Sequence, residues 1–174
     1  MGSQPFDAGA GTKPTEMPSI LFVCSANRRR SPMAKALFEE ALRKRGIMAG
    51  WKVDSAGTWA EPNEPATRYG CQAMRERGLD LEGHRSKPTT GELLRPFDLI
   101  LVMEGGQREA LQIEIPEVAG RVELLSNAAG PSYDIREPLL EGLEDSRRLA
   151  VELENLIESG FDRILALARR PRSG

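Results

Sequence analysis

Short β-prone apolar runs alternate with amphipathic helical patterns along this chain, and this alternation restricts its possible folds more than any other feature. The predicted strands are residues 20–23, 51–53, 99–103 and 122–125. The first and third runs are continuously apolar, which is typical of strands buried on both faces of a parallel sheet. Parallel neighbours require crossover connections, and the helical patterns between the runs can supply them.

The first predicted helix follows the first strand after a short loop. Ser31 is expected to cap it, Pro32 to take its first helical position, and Gly46 to end it. The other predicted helices are residues 66–77, residues 107–113 and a long C-terminal helix. That last helix is expected to be disturbed near Gly160. Strands and helices alternating in this way predict an α/β fold with a doubly wound parallel sheet, whose ligands bind beyond the carboxyl ends of the strands.

The charge balance argues against a large anionic partner. The 24 lysines and arginines nearly equal the 26 aspartates and glutamates, so the formal net charge is −2. No overall basic field is available for nucleic acid or an anionic membrane surface, and neither is expected as a partner. The chain also lacks an apolar run of about 18 residues, so the sequence predicts no membrane-spanning segment.

Two cysteines, Cys24 and Cys71, lie far apart and form no Cys-x-x-Cys pair. This spacing predicts neither a disulfide framework nor a zinc site, so no metal or other cofactor is expected, and a reducing, cytoplasmic location is favoured. The segment up to Met17 is rich in glycine, proline, serine and threonine and has no signal-peptide pattern. We therefore predict a disordered tail at residues 1–17 and one domain at residues 18–174.

The loop at residues 24–30 carries the residues best suited to chemistry, a cysteine followed after five residues by arginine and then serine. Backbone N–H groups that curl into a helix N-terminus form a cradle for an anion, and the helix dipole favours negative charge there. The same field favours the nucleophilic thiolate form of Cys24. Arg30 offers planar donors for two phosphoryl oxygens, and Ser31 can donate a hydrogen bond to the sulfur. Asn27 suits a tight loop because asparagine tolerates a left-handed backbone.

This loop has two alternative interpretations. Cys24 could be a buried core cysteine at the end of a strand, with residues 28–30 forming a solvated turn. Consecutive arginines also occur at nucleic-acid surfaces, but no aromatic platform or wider basic face accompanies these three. The position at a strand-to-helix junction favours an oxyanion site over both alternatives.

These residues resemble the signature of the low-molecular-weight protein tyrosine phosphatases. The resemblance is carried by Phe22-Val23-Cys24-x-x-Asn27-x-x-Arg30-Ser31-Pro32-Met33-Ala34. Segments that resemble the family then follow in the family's order: Asp54-Ser55-Ala56-Gly57-Thr58, Gly83-His84-Arg85-Ser86 and Asp98-Leu99-Ile100-Leu101-Val102-Met103. The resemblance implies a four-stranded parallel sheet flanked by helices on both faces. It also implies hydrolysis of phosphomonoesters, with protein phosphotyrosine as the expected substrate.

The resemblance further implies a two-step mechanism, in which Cys24 forms a cysteinyl-phosphate that water then hydrolyses. By the same resemblance, Arg30 holds the phosphoryl group and Ser31 supports the thiolate. Asn27 and His84 match residues that keep the loop in shape. The residues expected to bind phosphate are Ser25, Ala26, Asn27, Arg28, Arg29 and Arg30.

Several positions depart from the family pattern. Ala26 stands where the family has glycine, and Arg29 stands where it has a second cysteine that can form a disulfide with the nucleophile. No such redox switch is therefore expected. Arg28 replaces a residue that is threonine in the family's protein arginine phosphatases, which argues against that substrate. Cys71 lies in a predicted helix and is a poor candidate for the resolving thiol of an arsenate reductase.

The general acid is the main departure, because the family has an aspartate before a proline in a late loop. The corresponding run is Asp134-Ile135-Arg136-Glu137-Pro138. Glu137 is the predicted acid and Asp134 the fallback, because general acid catalysis depends first on reach. Leu139 and Leu140 replace aromatic residues that would stack on tyrosine. Trp59 falls where an aromatic side chain lines the mouth of the pocket, with a plain packing role as the alternative.

An active phosphatase is the favoured function, because a nucleophile, a clamp, a supporting serine and a carboxylate are all present. The alternative is a phosphate-binding regulatory protein of the same fold that turns over slowly or not at all, which the changes at Ala26 and Glu137 favour. The expected partner is a phosphorylated protein or a small phosphomonoester.

Overall fold

Four parallel strands form the central sheet of the computed structural model, which describes residues 17–172. The strands are β1 (Ser19–Cys24), β2 (Lys52–Gly57), β3 (Leu99–Val102) and β4 (Val122–Leu124). Their order is β2-β1-β3-β4, which confirms the doubly wound α/β fold. The topological switch point lies between the carboxyl ends of β1 and β3. The predicted tail lies outside the described residues except for Met17, which is exposed.

Helices cover both faces of the sheet. They are α1 (Arg30–Lys44), α2 (Arg68–Arg75), α3 (Gly91–Leu94), α4 (Gly105–Glu114), α5 (Leu125–Ala129) and α6 (Leu143–Ala168). Alternate side chains of a strand point to opposite faces. Ile20 and Phe22 of β1 therefore join a core built with α1, α2 and α6, whereas Leu21 and Val23 join a core built with α3 and α4. None of the helices in residues 17–172 has the length and apolar character needed to cross a membrane.

Aromatic packing fixes α1 against the sheet. The ring centroid of Phe38 lies 5.6 Å from that of Phe22 in β1 and 5.7 Å from that of Phe161 in α6. All three side chains are buried, and full burial of one such side chain contributes about 1.5–3 kcal/mol to stability. The position of the loop at the N-terminus of α1 is therefore set by the core.

The register of the strands brings residues from distant parts of the sequence to one edge of the sheet. Cys24 at the end of β1 lies opposite Gly57 at the end of β2. Val23 lies opposite Val102 at the end of β3. The loop after β1 is thus flanked by the segments that follow β2 and β3.

Some local details differ from the sequence prediction. Helix α1 begins at Arg30 with Arg29 at the N-cap position, so Ser31 is not the cap and Pro32 is the third helical residue instead of the first. Helix α6 continues through Gly160 without the predicted disturbance. A Cβ at Gly160 would lie 2.9 Å from the carbonyl group of Ala128. The glycine therefore permits a close approach of α5 and α6 and does not interrupt the helix.

Candidate active site

The loop between β1 and α1 presents a run of free backbone N–H groups. The N–H groups of Ser25, Ala26, Arg28 and Arg29 donate no hydrogen bond to any residue of the segment 17–172. The first N–H groups of α1 also lack intrahelical acceptors, as at every helix N-terminus. Successive free N–H groups beside a helix N-terminus are an arrangement that binds phosphate and other oxyanions.

Cys24 lies at the base of this loop, and its side chain is buried. Its Sγ atom lies 3.0 Å from Oγ of Ser31 and accepts a hydrogen bond from the backbone N–H of Asn27 at 3.3 Å. The Ser31 hydroxyl also lies 3.2 Å from the carbonyl oxygen of Ala56. When the sulfur is a thiolate, Ser31 must be the donor to it, because a thiolate has no proton to give.

Asn27 holds the loop from the inside. Its φ of 56° lies in the left-handed region, as predicted, and its side chain is fully buried. The amide nitrogen donates to Oγ of Ser31 at 2.8 Å and to Oγ of Ser55 at 3.0 Å. The amide oxygen accepts from the backbone N–H of Lys87 at 3.0 Å. Three separate segments therefore converge on one side chain and fix the turn that carries the free N–H groups.

His84 contacts the same turn through its imidazole. Nε2 lies 2.6 Å from the carbonyl oxygen of Asn27, and a carbonyl only accepts, so Nε2 carries the hydrogen. Burial lowers the pKa of His84 below its ordinary value; the hydrogen bond to Asn27 opposes this, and the charges of Lys35 and Lys87 add to the lowering. The imidazole is therefore a neutral donor at neutral pH, and it supports the shape of the loop.

A partly buried carboxylate anchors the backbone that carries Lys87. Nζ of Lys87 lies 2.5 Å from Oδ2 of Asp54, and Nζ of Lys35 lies 3.7 Å from Oδ1. Burial by itself would raise the pKa of Asp54. Hydrogen bonds from Lys87 and from the backbone of Ser55, with the charges of both lysines, outweigh that effect and lower the pKa. The ionised Asp54 thereby supports the bond that Lys87 makes to Asn27.

The end of β2 supports the loop from a second side. The N–H of Thr58 donates to the carbonyl of Cys24, and that of Trp59 to the carbonyl of Ser25, both at 2.9 Å. A Cβ at Gly57 would overlap the carbonyl oxygen of Ser25, so glycine is needed for this approach. The Trp59 side chain is 86% exposed, which is incompatible with the alternative of a packing role.

Arg30 is the most buried charged side chain of the described residues, at 2% exposure. Its Nη1 donates to the carbonyl of Ile135 at 2.8 Å and to the carboxylate of Glu104, and its Nη2 lies 3.4 Å from Oγ of Ser25. Its Nε lies 2.9 Å from Oε2 of Glu137, although not in hydrogen-bond alignment. Two carboxylates thus balance a guanidinium that is removed from water. Glu104 is a site residue that the sequence did not indicate.

Gln107 is a second residue that sequence reasoning missed. Its Nε2 donates to Oγ of Ser25 at 3.0 Å, and its Oε1 accepts from the backbone N–H groups of Met103 and Glu104, both at 3.0 Å. Gln107 therefore joins the end of β3 to the first residue of the loop. A glutamate and a glutamine three residues apart are a capping-box signal for a helix start, but that signal carries no information about Ser25.

The loop between α5 and α6 brings the predicted acid to the arginines. Oε1 of Glu137 lies 2.8 Å from Nε of Arg29, and Oε2 lies 2.9 Å from Nε of Arg30. Asp134 accepts instead from the backbone N–H of Gly105 at 2.8 Å. Of the two candidate acids, Glu137 and not the fallback Asp134 therefore lies against the arginines.

The remaining predicted residues lie around this centre. Nε of Arg28 donates to the carbonyl of Pro65 at 2.9 Å, which holds its side chain against the segment before α2. Ala26 is exposed, so its methyl group fits where the family pattern has glycine. Cys71 is a buried free thiol of α2, and burial raises its pKa. Because reactive thiols are accessible and acidic, Cys71 is unsuited to act as a resolving thiol.

The arrangement can perform phosphoryl transfer. A tetrahedral oxyanion bound by the free N–H groups would meet a sulfur nucleophile at the base of the loop and a guanidinium at its side. The Glu137 carboxylate at the edge could exchange a proton with a leaving group or with water.

The family model and the similar proteins all point to one family of protein phosphatases. Residues 19–169 match the family model described as low molecular weight phosphotyrosine protein phosphatase. A Ralstonia nicotianae protein named "Probable low molecular weight protein-tyrosine-phosphatase EpsP" is 34% identical over 149 residues, covering 86% of this chain and 97% of the relative. A Bacillus subtilis protein-arginine-phosphatase is 32% identical over 139 residues, covering 79% and 91%.

Solved structures share the fold. The low molecular weight protein tyrosine phosphatase from T. tengcongensis has a TM-score of 0.78 at 31% identity, covering 83% of this chain and 98% of that chain. The tyrosine phosphatase Wzb from Escherichia coli K30, solved in complex with sulphate, has a TM-score of 0.76 at 28% identity, covering 85% and 99%. The region matched by the family model includes both loops of the candidate site.

Proposed function

The chain belongs to the low molecular weight phosphotyrosine protein phosphatase family, and on that premise we propose that it dephosphorylates proteins through a cysteinyl-phosphate formed on Cys24. One observation carries the proposal. The Cys24 sulfur lies 3.0 Å from Oγ of Ser31, at the base of a loop that presents four backbone N–H groups free of any partner among the described residues. The buried guanidinium of Arg30 supplies the clamp that such a cradle needs for a doubly charged phosphoryl group.

In the first step, the thiolate of Cys24 attacks phosphorus, so that an S–P bond forms and the P–O bond to the leaving group breaks. The N–H groups of residues 25–30 and the guanidinium of Arg30 stabilise the charge on the non-bridging oxygens. Glu137, as a carboxylic acid, transfers its proton to the leaving oxygen. Ser31 donates a hydrogen bond to the sulfur until the new bond forms.

In the second step, a water molecule attacks the phosphorus of the cysteinyl-phosphate. Its proton passes to the carboxylate of Glu137, the S–P bond breaks, and inorganic phosphate leaves. The Cys24 thiolate returns and again accepts the hydrogen bond from Ser31. Glu137 ends the cycle protonated, as it began, so the protons balance.

We further propose a phosphotyrosine-bearing protein as the substrate. A phosphorylated protein is the class of substrate common to the names of the relatives, which include both tyrosine and arginine phosphatases. Trp59, Leu139 and Leu140 are exposed large apolar side chains next to the cradle loop and the acid. Such side chains suit an aryl group that carries the phosphate.

Both described cysteines are free thiols, which supports the predicted cytoplasmic location.

A phosphate-binding protein with weak turnover is the second candidate. The observation that favours it is the contact of the Glu137 carboxylate with both Arg29 and Arg30, which engages the acid with the clamp. Both candidates bind phosphate, so only turnover and its dependence on the leaving group distinguish them.

The variant Cys24→Ser tests the covalent mechanism. We expect turnover of nitrophenyl phosphate to fall by about 10⁴-fold or more, because a hydroxyl is far less ionised than a thiol. Binding of inorganic phosphate, measured by titration calorimetry, should persist because the N–H groups are unchanged. If the parent binds phosphate but its own turnover is barely above the uncatalysed rate, the second candidate is correct. A variant that keeps the parent's turnover would exclude Cys24 as the nucleophile.

The variant Glu137→Gln tests the acid. An alkoxide needs a proton in order to leave and a nitrophenolate does not, so we expect a loss of about 10²–10⁴-fold on alkyl phosphates and a far smaller loss on nitrophenyl phosphate. Asp134→Asn is the matched control, because its amide oxygen can still accept from Gly105. Equal losses on both substrates would contradict the role of Glu137. A selective loss in Asp134→Asn would transfer that role to Asp134.

A further inference from the structure

Two residues that depart from the family pattern, Arg29 and Glu137, contact each other. Arg29 stands where the resemblance predicts a cysteine, and Glu137 stands where it predicts an aspartate. In the structure, Nε of Arg29 lies 2.8 Å from Oε1 of Glu137. Glu137 therefore contacts Arg29 at two positions where the family pattern has an aspartate and a cysteine.

Arg29 depends on this contact. Its side chain is 5% exposed, so its charge is largely removed from water. Its Nε and Nη1 find no aligned hydrogen-bond acceptor within residues 17–172. The nearest carboxylates are Glu137 and, at 3.8 Å from Nη2, the exposed Glu141. A guanidinium excluded from water requires a paired charge, and Glu137 is the only carboxylate of the described residues in close contact with it.

Glu137 also contacts the side chain of Arg30. Its second oxygen, Oε2, lies 2.9 Å from Nε of Arg30, which is the same guanidinium that the proposed mechanism uses for the phosphoryl group. A carboxylate and a phosphoryl group both seek the donors of that fork. Binding of one at Arg30 Nε therefore opposes binding of the other.

We propose that Arg29 is the positioning residue for Glu137, and that Glu137 and the phosphoryl group compete for Arg30. When phosphate takes the Arg30 fork, the contact with Arg29 keeps the Glu137 carboxyl group at the edge of the cradle, so that it can give its proton to the leaving oxygen in the first step and take one from water in the second. The inference rests on the proposed function, since it gives the acid of that site a partner. It also makes Glu137 a specific competitor of phosphate, which a residue acting only as an acid would not be.

Titration with inorganic phosphate tests the competition without any turnover. Glu137→Gln removes the competing charge, and we expect it to bind phosphate about threefold to tenfold more tightly than the parent, the scale of a partly exposed ion pair. Glu141→Gln is the matched control and should bind phosphate as the parent does. Unchanged or weaker binding by Glu137→Gln overturns the competition.

The double variant separates positioning from direct contact. Arg29→Met should weaken phosphate binding about threefold to tenfold, because Glu137 then pairs with Arg30 alone. In the Glu137→Gln background, the same change should alter phosphate binding by less than about twofold, because no competing carboxylate remains. If Arg29→Met weakens binding equally in both backgrounds, Arg29 binds phosphate itself and the positioning role is wrong.

Kinetic measurements on two substrates distinguish the positioning of Glu137 by Arg29 from a merely structural role of Arg29. Arg29→Met should lower kcat about tenfold on alkyl phosphates while changing nitrophenyl phosphate turnover much less, because only the former needs the acid. Arg29→Lys should restore part of that difference, and it also serves if Arg29→Met does not fold. Equal losses on both substrates in both Arg29 variants would refute positioning. A chain that binds phosphate as predicted but does not turn over would refute only the proposed function.

Discussion

The two loops that meet at Arg30 are held in different ways. The loop after β1 is fixed from several sides, by Asn27 inside it, by the backbone of Lys87, and by the end of β2 packed against it. Asn27 and Ser31 are fully buried, and each makes several hydrogen bonds. The proposed phosphate cradle is therefore rigid, because the turn that presents the N–H groups cannot move without breaking buried polar contacts.

The loop that carries Glu137 has fewer attachments. The backbone N–H of Ile135 donates to the carbonyl of Met103, its carbonyl accepts from the side chain of Arg30, and Asp134 accepts from the backbone N–H of Gly105. Beyond these bonds, Glu137 is held by charge, and the residues after it are exposed. Contacts between partly exposed charges are weak and respond to their surroundings. The comparison teaches that the proposed site combines a rigid cradle for an oxyanion with a proposed acid that is held by adjustable ion pairs.

Replacing Arg30, the residue that joins the two loops, should have a large effect. We expect Arg30→Lys to lower kcat/KM by about 10²–10³-fold, because a point charge cannot reproduce the planar contact with two phosphoryl oxygens. Phosphate affinity should fall as well, because Glu104 and Glu137 then face a single ammonium. Steady-state kinetics with nitrophenyl phosphate and phosphate inhibition provide the measurement. Near-normal kinetics would place the clamp on Arg28 or Arg29.

The rigidity of the first loop can be tested at Gly57. A methyl group there would overlap the carbonyl of Ser25, and displacing the loop by about 1 Å should lower kcat/KM about 10²-fold. The free energy of unfolding should fall by about 1–3 kcal/mol, as in other overpacked sites. Gly57→Ala is compared with Gly106→Ala, which meets no heavy atom within 4 Å. Equal behaviour of the two variants in urea unfolding and kinetics would show that the loop is not held as described.

The looser loop should respond in the opposite manner. Leu139 and Leu140 are 102% and 74% exposed, so the double alanine variant should change the free energy of unfolding by less than about 0.5 kcal/mol. We expect KM for a phosphotyrosine peptide to rise about threefold to tenfold, with phosphate inhibition unchanged, if these side chains contact the aryl group. Chemical denaturation and peptide kinetics measure the two quantities. A large loss of stability would contradict the loose attachment of this loop.

The smallest expected effect is the pH dependence of the first loop. Burial lowers the pKa of His84, so below the ordinary pKa of about 6.5 the unfolded chain binds a proton that the folded chain does not. The stability due to His84 is therefore fully present above pH 6.5 and is lost as the pH falls from there through the lower folded-state pKa. Urea unfolding of the parent and of His84→Gln between pH 5 and 7.5 should show a steeper decline for the parent. Parallel profiles would mean that this histidine, the only one in the chain, does not report on the loop.

The alternation of the strands with four of the helices, the position of the loop of residues 24–30 at a strand-to-helix junction and the left-handed Asn27 could be predicted from the sequence. These features depend on neighbouring residues: the periodicity of apolar side chains, the spacing of cysteine and arginine, and the conformations that one residue tolerates. Cys24 and Ser31 meet because a short loop and the first helical turn bring them together. Interactions between residues that are a few positions apart can therefore be predicted from local sequence patterns.

The tertiary structure alone decided which distant residues complete the site. Glu104 and Gln107 reach Arg30 and Ser25 because β3 pairs with β1 in one register, and a different register would displace the segment after β3 relative to the loop after β1. The sequence predicts a helix interruption at Gly160, whereas in the structure this glycine allows α5 to pack closely against α6. The ion pair between Arg29 and Glu137 joins two loops separated by most of the domain. Such pairings arise from the packing of the whole sheet with its helices, and no local pattern encodes them.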